Sequence, residues 1–512
     1  MVDDRTPVLI GAGQITQRER DPATALSPLD LTAAAARAAA DDAGGGARLI
    51  ESLDTVVAIR SFSDTSWRFT SPFGGSKNPP KSVADRIGAG AAKRLVYTWP
   101  GGNMPQWCVN RLCEMITRGE VGAALIAGGE SLATQKAAQR AKLDLDWQED
   151  PGGTFEHWGV ETRGWNDIED RHRMAGAIFA YPLFENAIRG HRGKTIPEHL
   201  VDMGRLFARL AAVAAANPLA DRRKGFSADE ISTVSAANPY IGFPYTKLMN
   251  SNAFIDQAAA LILTSAGKAR EFGITQDKWV YLHGCADAYD HWYISDRINH
   301  FTSPAMRTVA VETLEMADCS LEDIGAFDLY SCFPSAVEIG SKELGLAEDD
   351  PRGLTVTGGL PYFGGPGNNY VTHSIAEMMA RVRAKPGMKG MVTANGNYVT
   401  KQSGGIYSTE PPARALAPKD PVTYQAVINA TKGPTVVEQA SGPATVETYT
   451  VMHDRSGPAY AILFGRDAED RRFIANTPDD QALLADMTER DYLGQTGRVA
   501  CNDQGINIFT PD

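Results

Sequence analysis

One pattern of secondary structure occurs twice in this chain and limits the folds that it can adopt. An alanine-rich helical segment is followed by an acidic turn and a β-rich apolar run, at residues 31–42, 49–54 and 55–59. Helix, acidic turn and strand recur in the same order at residues 308–317, 321–324 and 326–330. Each copy then reaches a glycine-rich turn, a helix and a further apolar strand, at 123–127 and 390–393. The repeat predicts two homologous halves.

Short β-rich apolar runs alternate with helices through both halves. Runs that are apolar on both faces are typical of a mostly parallel sheet covered by helices. We therefore predict an α/β protein with two sheets between layers of helices. At 512 residues the chain is also too long for one compact core, which predicts two to four domains.

Residues 100–131 predict a turn, a helix and a buried strand. Pro100 and the two glycines that follow it break regular structure, and the short apolar run at 123–127 ends in glycines. A helix from about residue 105 to residue 118 fits between them.

This arrangement and several later segments resemble the thiolase superfamily. The similar segments, in thiolase order, are 119–131, 252–260, 330–333, 358–366 and 393–397. The resemblance covers roughly residues 6 to 410 and implies the thiolase fold, with two homologous halves in a layered αβαβα core and an inserted loop domain. The chain most resembles thiolase-like protein type 1, a subfamily with the thiolase core, lost catalytic residues and an added C-terminal domain.

The catalytic positions of thiolases are not retained. In thiolases the nucleophilic cysteine begins a helix, where unpaired N–H groups and the helix dipole favour the thiolate; here that position is Gly102. The oxyanion-hole histidine corresponds to Gly365, and the acid/base cysteine to Ala394 or Asn395. The nearest sulfur, Cys108, lies almost two turns along the helix. The resemblance therefore implies the fold without ordinary thiolase chemistry.

The resemblance also divides the chain into five parts. They are the first half, the loop domain, the second half, a linker and an additional domain, at 1–131, 132–250, 251–410, 411–423 and 424–512. In thiolases the loop domain binds coenzyme A, whose phosphates need cations. The basic clusters of this segment are the predicted coenzyme A-binding residues, namely Arg189, Arg192, Lys194, Arg222, Arg223 and Lys224.

The additional domain is predicted to be a small β-barrel that is OB-like. Alternating residues at 446–451 and 459–464, with the turn 454–457 between them, predict a hairpin. Two more strands are expected at 472–475 and 497–500. OB folds often bind oligonucleotides, but this segment has modest aromatic content and no basic excess. A docking or substrate-shaping module is the better expectation.

Composition narrows the classes of function. The net charge of −12 disfavours general binding to nucleic acid or anionic membranes. The acidic start predicts no signal peptide, and no apolar run is long enough to span a bilayer, so we expect a cytoplasmic protein. The six cysteines lack paired spacing, which argues against a disulfide framework or a zinc site. No metal is predicted.

The leading hypothesis is a thiolase-like acyl-CoA-binding protein of lipid metabolism, nominally of the acetyl-CoA acetyltransferase family. Coenzyme A would be part of the substrate, no cofactor would be bound covalently, and the protein would be a homodimer or a monomer. A second hypothesis is a retro-aldolase acting on β-hydroxyacyl-CoA. A third is a non-enzymatic carrier of acyl-CoA or lipid.

The second hypothesis is based on a further resemblance. Thiolase-fold retro-aldolases of steroid side-chain degradation lack the cysteine, use tyrosines and work with an OB-fold partner. Tyr330 stands at the position of their first tyrosine, while Tyr362 and Tyr370 are both candidates for the second tyrosine. The reaction needs a base, an acid and an oxyanion hole, for which the predicted residues are Tyr330, His373 and Asn395. The alternatives are a strand-end tyrosine, a packing histidine and a turn asparagine.

Overall fold

The computed structural model describes residues 2–19 and 21–512. In chain order the strands are β1 (Pro7–Thr16), β2 (Thr55–Ala58), β3 (Arg94–Thr98), β4 (Ala123–Ser131), β5 (Glu156–Trp158), β6 (Tyr240–Gly242), β7 (Tyr245–Thr246), β8 (Asp256–Ser265), β9 (Tyr281–Tyr289), β10 (Ile324–Asp328), β11 (Lys389–Gly396), β12 (Lys401–Ser408), β13 (Ser441–Asp454), β14 (Gly457–Asp467), β15 (Arg472–Asn476), β16 (Thr496–Cys501) and β17 (Asn507–Pro511). The helices are α1 (Pro28–Ala43), α2 (Gly46–Glu51), α3 (Pro79–Ile87), α4 (Met104–Thr117), α5 (Leu132–Ala141), α6 (Asp167–Arg171), α7 (Ala177–His191), α8 (Ile196–Ala216), α9 (Ala228–Ser232), α10 (Ala266–Glu271), α11 (Pro304–Met316), α12 (Pro334–Leu344), α13 (Tyr370–Ala384), α14 (Pro421–Ala430) and α15 (Gln481–Glu489).

The first sheet has the strand order β1-β8-β4-β2-β3-β5. Strands β2 to β5 are parallel, and β8 runs antiparallel to both β1 and β4. The sequence assigned residues from 251 onward to the second half, but β8 completes the sheet of the first. The boundary between the halves therefore lies after Ser265, because strand pairing and not chain position decides it.

The short strand β5 closes one side of this sheet. It pairs in parallel with β3, from Val96 opposite Glu156 to Thr98 opposite Trp158. Since β5 belongs to the loop segment, the loop contributes directly to the first sheet.

The second sheet has the order β10-β11-β12-β9. Helices α4 and α13 lie between the two sheets, while α1 and α3 cover the outer face of the first and α11 covers that of the second. This arrangement confirms the layered αβαβα core. No helix among the described residues combines the length and apolar character needed to cross a membrane.

Helix α1 lies directly on β1 because both surfaces are made of small residues. The Ser27 hydroxyl caps its first turn by accepting from the Asp30 amide at 3.2 Å, and Gly44 ends it at φ 78°. A methyl group on Gly13 would lie 2.1 Å from the Ala35 carbonyl oxygen. The small residues of the alanine-rich segment therefore allow the helix to pack closely on the strand.

The C-terminal segment forms the predicted β-barrel. Its strands follow the closed order β13-β14-β15-β17-β16, with β16 pairing back to β13. Strand β17 and helix α15 were not predicted. The predicted linker 411–423 runs into α14, whose Tyr424 hydroxyl donates to the Asp287 carbonyl of β9 at 2.9 Å. The chain between core and barrel is thus partly helical and packed on the core.

Candidate active site and coenzyme A groove

The turn between β3 and α4 has no room for a side chain at Gly102. A methyl group placed there would lie 2.2 Å from the Tyr330 hydroxyl oxygen and 2.6 Å from the Asn395 carbonyl oxygen. Contacts this short are well inside van der Waals separation. The predicted residues Tyr330 and Asn395 therefore meet over the glycine, and the phenol occupies the space that a cysteine side chain would need.

Tyr330 follows β10 and is held by its backbone and its ring. Its amide donates to the Thr393 hydroxyl at 3.2 Å, and its ring meets that of Tyr370 edge-on with centroids 5.7 Å apart. Burial, with smaller contributions from Cys332 and Tyr370, raises the pKa of Tyr330 well above its ordinary value. The group is therefore a neutral phenol near pH 7, which can donate a hydrogen bond.

Asn395 is oriented by a tyrosine of the loop segment. Its amide Nδ2 donates to the Tyr181 hydroxyl at 2.9 Å, and that hydroxyl also accepts from the Val399 amide at 3.3 Å. Helix α7, which carries Tyr181, therefore fixes the Asn395 side chain, while the Asn395 backbone carbonyl is the group that lies beside Gly102.

Lys401 is a buried residue of this centre that sequence reasoning missed. Its side chain is 2% exposed, and its ammonium donates to the Pro100 carbonyl. A methyl group on Gly101 would lie 3.0 Å from Lys401 Nζ. Burial lowers the pKa of Lys401 to about 8. A lysine at the start of a short strand ordinarily lies in solvent, so no local signal distinguished it.

Asn103 adds an acceptor beside this lysine. Its Nδ2 lies 3.4 Å from the Ser403 hydroxyl, while its buried Oδ1 has no hydrogen-bond partner in the described part of the chain. The same oxygen lies 2.5 Å from the position of a methyl group on Gly101 or on Gly396. Two glycines, Gly101 and Gly396, thus allow an amine side chain and a free carbonyl oxygen to pack against the backbone.

The structure does not bring His373 to this centre. Its Nδ1 lies 2.8 Å from the Gln14 side-chain oxygen of β1, and burial lowers its pKa to about 3. The chain of ring contacts from Tyr330 to His373 passes through Tyr370 and then Phe363. The role predicted for His373 needs a correction, because helix α13 points this side chain at β1.

There is also no room for a side chain at Gly365, the position that corresponds to the oxyanion-hole histidine of thiolases. A methyl group there would lie 2.3 Å from the Ser251 hydroxyl oxygen. Nearby, the Asn368 side chain accepts from the Gly101 amide at 2.9 Å and donates to the Arg60 carbonyl at 2.8 Å. The glycine-rich segment therefore supports the Gly102 turn and has no space for a histidine.

Half of the predicted coenzyme A-binding residues are engaged elsewhere. Arg189 is 1% exposed and forms two hydrogen bonds of 2.8 and 2.7 Å with Asp491 of the barrel segment. Arg192 pairs with Glu338 and Glu348, and Lys194 with Asp202. The two arginines hold the loop segment to its neighbours, while Lys194 pairs within that segment, and local sequence shows neither use.

Two of the other three predicted residues lie at an open groove of about 600 Å³. Arg222, Lys224 and Lys247 line it, together with Asp229 and Glu230, while the exposed Arg223 is adjacent in the chain. The Arg222 guanidinium donates to the Pro361 carbonyl at 3.2 Å. The groove is thus in contact with the glycine-rich segment that leads to the Gly102 centre, and it offers cations and an apolar ring, that of Phe226.

A more enclosed cavity of about 330 Å³ lies at the carboxyl ends of β2 and β4 in the first sheet. Glu130, at the end of β4, is buried there and accepts from the Phe62 amide at 2.7 Å. Burial raises the pKa of Glu130 to about 8. The cavity borders the outer helices α1 and α3 and not the turn at Gly102. We therefore do not assign it to the active site.

Comparison with known proteins agrees with this geometry. The fold and the altered centre first define the class to which the protein belongs, which is the thiolase superfamily. Residues 423–504 match the family described as the thiolase-like protein type 1 additional C-terminal domain. No curated protein matches the chain.

Solved structures identify the family. The chain is similar to the crystal structure of a monomeric SCP2-thiolase like protein type 1 (STLP1) from Mycobacterium smegmatis, with 36% identity, a TM-score of 0.86 and all of both chains covered. The protein belongs to the thiolase-like protein type 1 family, as the sequence resemblance implied.

Two further structures share the fold at lower identity. The Ltp2-ChsH2(DUF35) aldolase has 19% identity and a TM-score of 0.58, covering 81% of this chain and 100% of that one. Human mitochondrial 3-ketoacyl-CoA thiolase has 15% identity and a TM-score of 0.56, covering 80% and 100%.

Proposed function

We propose that this protein binds an acyl-CoA thioester in lipid metabolism and does not catalyse thiolysis. The observation that carries the proposal is the Tyr330 hydroxyl over Gly102. Thiolysis requires a covalent acyl intermediate on a nucleophile, and this turn has neither the group nor the space for one. Kinship with the monomeric Mycobacterium smegmatis protein supports a monomer. A cytoplasmic location is part of the proposal.

The groove lined by Arg222, Lys224 and Lys247 is the proposed coenzyme A site. Its cations suit phosphates, the ring of Phe226 suits an adenine, and Arg222 connects it to the glycine-rich segment. Coenzyme A is here a part of the substrate and not a resident cofactor.

The first test measures thiolysis and binding separately. We expect no acetyl-CoA from acetoacetyl-CoA and coenzyme A, and none from Gly102→Cys, because its Cβ would still collide with Tyr330 and with the Asn395 backbone. Calorimetry should show coenzyme A binding that Lys247→Gln weakens about 5- to 10-fold. Lys194→Gln, outside the groove, is the matched control. Cysteine-dependent thiolysis, or no binding at millimolar ligand, contradicts the proposal.

A second candidate function, retro-aldol cleavage of a β-hydroxyacyl-CoA, is favoured by the placement of Tyr330 against Gly102 and of Lys401 against Pro100 and Gly101 of the same turn. The neutral amine of Lys401 would take the β-hydroxyl proton, and the bond between Cα and Cβ would break to give a ketone or aldehyde. Its electron pair would form the thioester enolate, which Tyr330 would protonate at Cα.

This second candidate is tested by release of a ketone or aldehyde from β-hydroxyacyl-CoA. Because burial lowers the pKa of Lys401 to about 8, the rate should rise with pH and level off above 8. Tyr330→Phe and Lys401→Met should each lower the rate about 10²- to 10⁴-fold, with His373→Gln as the control. Cleavage unaffected by Tyr330→Phe excludes the mechanism. Binding without any turnover would favour the non-enzymatic carrier.

A further inference from the structure

Three buried side chains from three helices meet away from the Gly102 centre. They are Glu185 of α7, His199 of α8 and Glu338 of α12, which we call the helix cluster. Their exposed fractions are 0%, 0% and 1%. Each offers one ligand atom, and the three atoms lie within 4.8 Å of one another.

The contacts of the helix cluster leave one carboxylate oxygen without a partner. His199 Nε2 lies 2.5 Å from Glu185 Oε1, and the Tyr245 hydroxyl donates to Glu185 Oε2 at 2.6 Å. Glu338 Oε1 accepts from Arg192 at 3.3 Å. No hydrogen bond reaches Glu338 Oε2 from any residue that the structure describes. A buried, unpaired carboxylate oxygen is costly.

The charges of the cluster are also out of balance. Two buried carboxyl groups face one arginine, and Arg192 shares its charge with a third carboxylate, Glu348. Burial raises the pKa of Glu185 to about 7, and burial with the neighbouring Glu185 raises that of Glu338 well above its ordinary value. Burial lowers the pKa of His199, so the imidazole is neutral at pH 7.

We propose that the helix cluster binds one divalent transition-metal ion, with Zn²⁺ as the first candidate. Two carboxylate oxygens and a neutral imidazole nitrogen form a donor set that such ions accept. The ion would take Glu338 Oε2, leaving Oε1 to Arg192, and would replace the proton between His199 and Glu185. Two ligand atoms at about 2.0 to 2.2 Å from a tetrahedral ion are about 3.3 Å apart, so those two side chains must separate by roughly 0.8 Å.

The position of the cluster defines what the ion does. Helix α7 carries Glu185 and, one turn earlier, Tyr181, whose hydroxyl holds Asn395 beside Gly102. An ion bound by α7, α8 and α12 joins two helices of the loop segment to one helix of the second half. The ion therefore fixes the position of α7. The site is enclosed by protein, so its role is to position Tyr181 and not to contact substrate.

The test uses the full chain purified without chelator and dialysed against metal-free buffer. Elemental analysis should find about one zinc per chain. After removal of zinc, titration with Co²⁺ should give visible absorption bands, without the near-ultraviolet charge-transfer band that a cysteine ligand would add. Glu338→Gln and His199→Asn should lose the ion. Glu348→Gln keeps all three ligands and should retain it.

Two results overturn the proposal. One is wild-type protein that contains no zinc, gives no Co²⁺ bands and shows no change in Tm with tenfold excess Zn²⁺. The other is binding that both ligand variants retain, which places the ion elsewhere. If the variants do not fold, the Co²⁺ titration of the wild type decides, since a sulfur charge-transfer band also excludes this site.

Discussion

Two acidic clusters join the loop segment and the barrel to the core. Their carboxyl groups are matched by cations to different extents. In the barrel cluster, Glu447 of β13 accepts from Arg466 at 2.7 Å and from Arg472 at 3.0 and 2.5 Å. The helix cluster has two carboxyl groups and only the shared Arg192. A buried carboxylate is stable when matched by cations and hydrogen bonds, so one cluster is complete and the other lacks positive charge.

The pKa values of the two clusters move in opposite directions. Burial acts to raise the pKa of Glu447, but His300 and Arg472 outweigh it and hold the pKa well below its ordinary range. For Glu185 burial dominates, and the pKa rises to about 7 although Glu338, Tyr245 and Arg192 act to lower it. Burial acts to raise both pKa values, although Glu447 is 19% exposed and Glu185 is fully buried, and the cations around Glu447 reverse the net shift.

The largest expected effect comes from breaking the complete cluster. Arg472→Met leaves Glu447 with one fewer cation and removes a donor to the Ser295 carbonyl at 2.9 Å. Because Arg472 is fully buried, we expect the free energy of unfolding to fall by about 3 to 5 kcal/mol. Urea denaturation followed by circular dichroism measures it. Arg466→Met, at the more exposed cation, should cost clearly less; equal losses would contradict the comparison.

Neutralising the incomplete cluster should have the opposite sign. In metal-free protein at pH 8, Glu338→Gln removes a buried carboxyl group whose ionisation is disfavoured by burial and by Glu185, and we expect a gain of about 1 to 3 kcal/mol in unfolding free energy. The same denaturation experiment measures it. Glu348→Gln, which removes the more exposed partner of Arg192, is the control. A loss of stability in Glu338→Gln would show that the carboxylate is already compensated.

The pH dependence of stability should differ between the clusters. The folded pKa of Glu185 is about 7, above the unfolded value, so its contribution is present at pH 4 and is lost as the pH rises through 7. Glu447 has a lowered folded pKa, so its contribution is present above the unfolded value of about 4.3 and is lost as the pH falls further.

Denaturation between pH 3 and 8 measures these slopes. The fall in stability between pH 5 and 8 should be smaller in metal-free Glu338→Gln than in the wild type, by up to about 1.4 kcal/mol per pH unit. Identical slopes would mean that the helix cluster does not titrate in this range.

The smallest effect is expected at an exposed contact between the same parts. Arg171 of α6 pairs with Glu438, which precedes the barrel, at 3.0 Å, and both side chains are well exposed. Arg171→Gln should change the unfolding free energy by less than about 0.5 kcal/mol, and 0.5 M salt should remove the difference. A change above 1 kcal/mol would show that surface pairs also hold the barrel.

The sequence predicted the parts of the molecule that depend on local pattern and order. The repeat gave the two halves, the alternation at 446–464 gave the first barrel hairpin, and Gly102 and Tyr330 were each identified from their own segment. Their meeting over one turn follows from the fold that the resemblance implied.

The residues that the sequence misplaced or missed are those whose contacts are with residues far away in the chain. Arg189 belongs to a basic cluster in sequence, but its partner Asp491 lies 302 residues away. Lys401 is unremarkable until the surrounding strands bury it. The three members of the helix cluster follow no spacing motif, because they come from helices that only the tertiary fold brings together.

The three residues of β5 have a further consequence for how the protein behaves at high concentration. Sheets recruit strands at unpaired edges, and β5 occupies the outer side of β3 with a strand too short to template a long ladder. Its Glu156 and His157 are exposed, and Glu156 also pairs with Arg94 at 3.1 Å. On the β3 side, the first sheet therefore ends in a short, charged strand of the same chain, and β3 has no free edge for a strand of another copy.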